Sequence, residues 1–205
     1  MVSQETLPPL VDISIFERAI SKDNTSILVP TERLAKNICV AWGEEILPHQ
    51  NAWKAPPVYS MQQWLRNCWN QLQDLHLSNV RNWAQAERPQ RLHYWEQAIN
   101  HANPELGHRF ARLADDTFLN LDSWCLDVEE IESDVLSSRQ FKRWTRTYSM
   151  LLTKNGFLPQ KKCWELIISA FEDEILTPLK CIYLYGFQTI PPYQIKILEQ
   201  AAHNI

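Results

Sequence analysis

Arg139, Lys142, Arg143 and Arg146 fall within one short stretch, and a helix turning 100° per residue carries all four on one side. Phe141, Trp144, Tyr148, Leu151 and Leu152 fall on the other. A row of fixed cations does one kind of chemistry, the neutralisation of anions. On nucleic acid each neutralised phosphate releases counterions, so affinity falls steeply with salt. The chain also offers its own answer: residues 113–134 hold eight acidic residues and no basic one, and residues 135–164 hold seven basic residues and no acidic one. Neighbouring blocks of opposite sign satisfy each other, so phosphate, the acidic segment and water are all candidates for what the basic side faces.

Thr31 and Arg33 form a second candidate place. They follow SILVP at residues 26–30, an apolar run of strand length, and open a helix; helix N-termini present free N–H groups to phosphate. Thr31 is equally suited to cap that helix. Trp64, Trp69, Trp95, Trp144 and Trp164 could stack on bases, but their helical spacing turns them toward a core. His93, His101 and His108 read as surface histidines rather than a metal trio, because Pro104 interrupts any helix they would share.

Several chemistries are excluded by what is missing. With four glycines in 205 residues and none before Gly43, no loop can wrap its N–H groups round a triphosphate. No lysine has Asp or Glu two positions before it, which removes the PD-(D/E)xK arrangement of a metal-dependent nuclease. No H-E-x-x-H, G-x-S-x-G or deaminase-type H-x-E pattern occurs. The five cysteines are scattered without a C-x-x-C pair, so buried free thiols are expected. Twenty basic against twenty-four acidic residues, a net charge of −4, argue against coating duplex DNA by bulk charge. No stretch is apolar enough to cross a bilayer, and the N-terminus lacks signal-peptide features, so a cytoplasmic protein is expected.

The elements that must position these residues follow a pattern. A short helix is expected at residues 11–21, then the strand at 26–30 and a helix from Thr31 to about residue 46, with Leu34, Ile38, Val40, Ala41 and Trp42 at roughly helical spacing. Val58 and Tyr59 form a brief second strand, after which Ser60 caps a helix with Met61, Trp64, Leu65, Cys68, Trp69 and Leu72 on one face. Residues 87–171 read as helical, with breaks at Pro104, at Ser137–Ser138 and at residues 156–159, and with no strand-like alternation. CIYLY at 181–185 returns to a strand, and a helix begins near Pro191. Three strand-then-helix units with a helical block before the third predict an α/β fold: a small parallel sheet carrying a large, dominant helical insertion. The chain stops soon after its last helix begins, and the expectation is a piece of a longer protein whose further sequence completes the sheet edges.

In their order along the chain these units resemble the first RecA-like domain of UvrD/Rep-type helicases. ILVPTERLAKNI, residues 27–38, is similar to the strand and turn that read roughly ilv-T-x-x-x-A there and touch single-stranded DNA. VYSMQQWLRNCW, residues 58–69, is similar to the next unit, TFHxLxxxLL, with Ser60 in the threonine place and Met61 and Gln62 where active helicases carry Phe and His facing DNA. IYLYGFQTIPPYQIKILEQ, residues 182–200, is similar to the Walker B strand, ilvDEFQDxxxxQxxLL. Tyr185 and Gly186 stand where those enzymes hold Mg²⁺ with Asp and orient water with Glu, while Phe187, Gln188, Gln194 and Leu198 match. Together with the missing P-loop, the string GF-x-x-[IL]-x-P-x-Q-x-x-[IL]-L at 186–198 resembles the inactivated helicase core at the N-terminus of AddB-like proteins and of related DNA repair proteins ending in a PD-(D/E)xK nuclease.

The resemblance implies a degenerate RecA-like subdomain, of P-loop-NTPase type, at 1–60 and 178–205, and a helical insertion subdomain at 61–177. It implies no catalysis and no cofactor in this chain, any nuclease lying in further sequence. The implied role is to help hold single-stranded DNA, or a helicase–nuclease partner subunit, during double-strand-break repair. Thr31, Arg33, Ser60, Gln62, Arg139, Lys142, Arg143 and Arg146 are then the candidate nucleic-acid contacts, and Tyr185, Gly186 and Gln188 mark the degenerate Walker B position. The rival expectation is a protein-interaction module, or a remnant, that binds no DNA and docks an acidic partner on the basic helix.

Overall fold

The computed structural model describes residues 16–20, 23–46, 55–77, 79–102, 106–131, 135–203 and 205. The chain forms two compact units, one of Met1–Cys68, Thr177–Thr189 and Leu198–Ile205, the other of Trp69–Leu176 and Ile190–Ile197. Helices predominate, accompanied by a small parallel sheet of three strands.

In the first unit, Thr25–Val29 (β1) is buried along its whole length, as a strand with neighbours on both edges and cover on both faces must be. It lies between Val58–Ser60 (β2) and Cys181–Leu184 (β5) in the order β2-β1-β5, all parallel, with Ile27 opposite both Val58 and Tyr183. The starts of β1 and β5 are tied together by Asn24, which adopts the left-handed conformation that Asn tolerates (φ 59°). Its carbonyl accepts from the Lys180 N–H at 2.9 Å, and its side-chain amide donates to the Pro178 carbonyl at 3.2 Å.

Glu32–Ile46 (α2) follows β1, and Met61–Asp74 (α3) follows β2. All six apolar positions expected on one face of α3 are buried, and the boundary between the two units falls inside this helix. On α2, Val40 departs from expectation: it is exposed, because it lies about 200° round the helix from buried Ile38. Of the helix expected at residues 11–21, the described part is Glu17–Ile20 (α1); residues 11–15 and 21–22 lie outside the described residues, as do 53–54 of the connection at 53–57 before β2. Phe16, Ile27, Val29, Ala35, Ile38 and Val58 make the core of this unit.

The second unit is built on three helices, Arg88–Ala102 (α4), Gly107–Ser123 (α5) and Leu136–Lys154 (α6), around the fully buried Trp95. Its indole stacks on Tyr148 at 4.0 Å between centroids and takes the edge of Phe118 at 5.7 Å. Gly107 lets α5 start hard against α4. A Cβ there would sit 2.6 Å from the Glu96 carbonyl oxygen, while the Gly107 N–H donates to Asn100 Oδ1 at 2.8 Å.

The break expected at Ser137–Ser138 falls just before them: α6 starts at Leu136 and takes both serines into its first turn, where a short polar side chain is well tolerated. The break expected at residues 156–159 holds Phe157–Leu158 (β4), a strand that the sequence did not disclose, which pairs in parallel with Ala84–Gln85 (β3). Gly156, at φ +79°, ends α6 in the conformation that favours glycine, and its carbonyl accepts from the Ala84 N–H at 2.9 Å. Gln160–Glu172 (α7) and Pro192–Ala201 (α8) complete the helices. No helix of the described residues is long and apolar enough to cross a membrane.

Candidate nucleic-acid interface

Parallel pairing puts the carboxyl ends of β1, β2 and β5 on one edge of the sheet. Val29 stands opposite Ser60, Leu28 stands opposite Leu184, and the Tyr185 N–H extends the ladder by donating to the Leu28 carbonyl at 3.0 Å. Thr31 and Arg33, Ser60 and Gln62, and Tyr185, Gly186 and Gln188 therefore all leave the sheet at this edge. Open α/β sheets take their ligands at this side.

Each corner is built by its own chemistry. Thr31 Oγ1 accepts from the Leu34 N–H at 3.2 Å, capping α2. Ser60 Oγ accepts from the Gln63 N–H at 3.1 Å, capping α3 in the same way. These caps meet one first-turn N–H in each helix, and helix geometry leaves the others of the turn without intrahelical acceptors. Thr31, Arg33, Gln62 and Gln188 are exposed. Ser60 is buried, so its hydroxyl serves the helix and not a ligand at the surface. Lys36, one turn beyond Arg33 on α2 and also exposed, adds a cation that the motif comparison did not single out.

Tyr185 and Gly186, which the resemblance compares with a Walker B position, both have close apolar neighbours. The Tyr185 ring packs edge-on against Phe16 at 4.8 Å, on the core of the first unit. Gly186 has φ +77° and passes so close to the β1–α2 corner that a Cβ would meet Leu34 Cδ2 at 3.0 Å and Pro30 Cδ at 3.7 Å. Neither residue offers a carboxylate, and each has apolar neighbours. The sequence marks Gly186 only as the end of the apolar run; its positive φ and the partners Phe16, Pro30 and Leu34 are not legible there.

The basic helix α6 buries its aromatic side as expected: Trp144, Tyr148 and Leu152 are in the core of the second unit, with Phe141 and Leu151 packed against it. Its basic side is divided. Arg146 grips Glu129 of the 3-10 turn Val128–Glu130 with two parallel bonds, Nε to Oε1 at 2.8 Å and Nη2 to Oε2 at 2.6 Å. This holds the Glu129 carboxyl below its ordinary range, chiefly through the hydrogen bonds from Arg146. Lys142 Nζ donates to the Glu129 carbonyl at 2.6 Å. Glu129 of the acidic segment thus takes Lys142 and Arg146. Arg139 and Arg143 are exposed, and Arg143 is in no ion pair among the described residues.

The five tryptophans at core-facing spacing are all buried. Among the described residues no group of three or more His, Cys, Asp or Glu is placed to hold a metal. Cys68 and Cys163 are the buried thiols expected, each pushed up to about 12 by burial, whereas Cys125 is exposed. Compared with known proteins, the chain matches no family model and no curated protein.

Proposed function

We propose that this chain is a non-catalytic, helicase-like scaffold from a DNA break-repair protein, and that it helps hold single-stranded DNA along the carboxyl edge of the β2-β1-β5 sheet. One observation carries the reading. Three strand-turn-helix units far apart in sequence lie as adjacent parallel strands, with the corners that resemble helicase motifs on one edge. Exposed Arg33 and Lys36 and the first-turn N–H groups of α2 and α3 supply that edge with donors and positive charge. Tyr185 and Gly186, packed against Phe16 and Leu34, supply no carboxylate to hold Mg²⁺ or to activate a water on a phosphate.

The test is a salt series of binding to labelled oligo-dT by fluorescence anisotropy. Binding weakens as salt rises, and Arg33→Gln lowers the slope of log K against log salt by about 0.7, the loss of one phosphate contact on a single strand. No binding at low salt overturns the DNA role, and ATP turnover that survives purification overturns the non-catalytic one. A second reading, a protein-interaction module without DNA binding, is favoured by Glu129, which withdraws Lys142 and Arg146 from any phosphate. Under that reading the oligonucleotide does not bind at any salt.

A further inference from the structure

Inside the second unit, α4 packs along both α5 and α6, but α5 and α6 scarcely meet, and a cleft of about 460 Å³ is left open between them. Leu106, Phe110, Leu113 and Ala114 recur on one stripe of α5 and form one wall; Phe141 and Trp144, one turn apart on α6, form the other. Ala114 and Trp144 are buried, at its depth, while Leu113 stands at its mouth, 61% exposed. The Phe110 and Trp144 rings lie 6.3 Å apart between centroids, inclined at 35°.

The lining carries no charged residue. The cations of α6 fall on the side of that helix opposite Phe141 and Trp144. A nucleotide, a phosphate backbone or an ionised acid would lose water in this cleft without meeting a counter-charge, which is costly. The polar groups present are neutral: Thr117, Ser138 and Gln140 line the cleft half-buried, and their side chains make no hydrogen bond among the described residues. Water in the cleft meets mostly apolar wall, and replacing poorly ordered water by an apolar group gains affinity. We propose that this cleft binds an uncharged, largely apolar small molecule with an aromatic ring and a hydrogen-bonding group, the ring lying against Phe110 and Trp144 and the polar group meeting Thr117, Ser138 or Gln140.

The size suits such a ligand. Small-molecule sites hold about 300–1,000 Å³, favour the gaps between helices of a bundle, and combine apolar and aromatic walls with a few polar groups. A partner helix that followed the α5 wall from Leu106 to Thr117, about 16 Å, would be about 10 Å across and take up roughly 1,200 Å³, well beyond the cleft. The proposed site belongs to the second unit alone and stands whether or not the sheet edge holds DNA.

The probe is N-phenyl-1-naphthylamine, a neutral aromatic dye whose fluorescence rises in apolar surroundings; 1-anilinonaphthalene-8-sulfonate adds one negative charge to the same rings. Titrated with the full chain, the neutral dye is expected to bind saturably, with Kd of about 10 µM and no change between about 0.05 and 0.5 M salt. The sulfonate binds about tenfold more weakly or worse. Ala114→Leu fills the depth of the cleft and Leu113→Asp sets a carboxylate on its wall, and each weakens the neutral dye by about tenfold or more. Leu126→Ala, which shortens an exposed apolar side chain outside the lining, leaves it unchanged. A thermal melt of each variant reports folding; Leu113→Asp, at an exposed position, decides the matter if Ala114→Leu unfolds. Absence of saturable binding, equal affinity for the sulfonate, parent affinity in the folded cleft variants, or an equal loss in Leu126→Ala overturns the proposal. So does a parent chain that sediments as a dimer and becomes a monomer in Leu113→Asp, for a second copy would then fill the cleft.

Discussion

Asp122 shows how much one buried side chain can decide. It sits at the last turn of α5, buried, with Oδ2 lacking any hydrogen-bond partner among the described residues, and it accepts a hydrogen bond from the Lys161 N–H in the uncapped first turn of α7. Burial pushes its carboxyl up to about 6; the attraction of Lys161 acts against that rise, and Glu165 and Asp127 add to it. Because the folded-state value lies above the unfolded one, the folded chain keeps a proton that the unfolded chain loses between about pH 4 and pH 6. Stability therefore falls as pH rises through that window. From the ordinary 3.8 to about 6 the shift is worth at most about 3 kcal/mol. Asp122→Asn removes the charge and keeps an acceptor for the Lys161 N–H, so the variant is expected to be the more stable one at pH 7.5, by about 1–3 kcal/mol, with the gap closing near pH 4. Urea unfolding at the two pH values measures this. A less stable variant at pH 7.5 would mean that the carboxylate's attraction to the start of α7 outweighs its desolvation. Nothing in the sequence singles Asp122 out from the other acids of its block, since spacing does not reveal which of them a neighbouring helix will cover.

Among the elements, α4 and α5 are joined by more than apolar contact. Asp115 is 1% exposed, and Arg91 reaches it from α4 with Nε to Oδ1 at 3.0 Å and Nη2 to Oδ2 at 3.2 Å, while its Nη1 donates to the Ala86 carbonyl at 3.1 Å. Taking one partner from a buried pair leaves a charge without compensation. Arg91→Met is therefore expected to cost about 3–5 kcal/mol, and Arg91→Met with Asp115→Leu to recover most of that loss. Denaturant midpoints of the two variants and the parent check the claim, and a double variant as unstable as the single one would contradict it. Elements whose pattern repeats over several turns are the ones the sequence discloses, as with the six buried positions of α3 or the aliphatic run of β1. Elements defined by a distant partner are not. Phe157–Leu158 is too short to show alternation, and it is a strand only because Ala84–Gln85 comes alongside.

At the scale of the whole molecule, the order of strand-helix units anticipated the parallel sheet, since short apolar runs followed at once by helices have few other ways to bury both faces. Which strand lies in the middle depends on pairings between residues 25–28 and 181–184, beyond the reach of local pattern. Each compact unit encloses a core of its own, around Ile27, Ile38 and Val58 in one and around Trp95, Phe118 and Tyr148 in the other. Units with separate cores open by separate local unfolding reactions. Gly107→Ala forces a Cβ to within 2.6 Å of the Glu96 carbonyl oxygen, a backbone atom that cannot swing aside, and overpacking of this kind costs about 1–3 kcal/mol. Native-state hydrogen exchange on that variant is expected to quicken for the amides of α4, α5 and α6 and to leave β1 and β5 at their parent rates. Equal acceleration in both sets would show that the chain opens as a single cooperative body, the sheet losing its protection whenever the helices around Trp95 part.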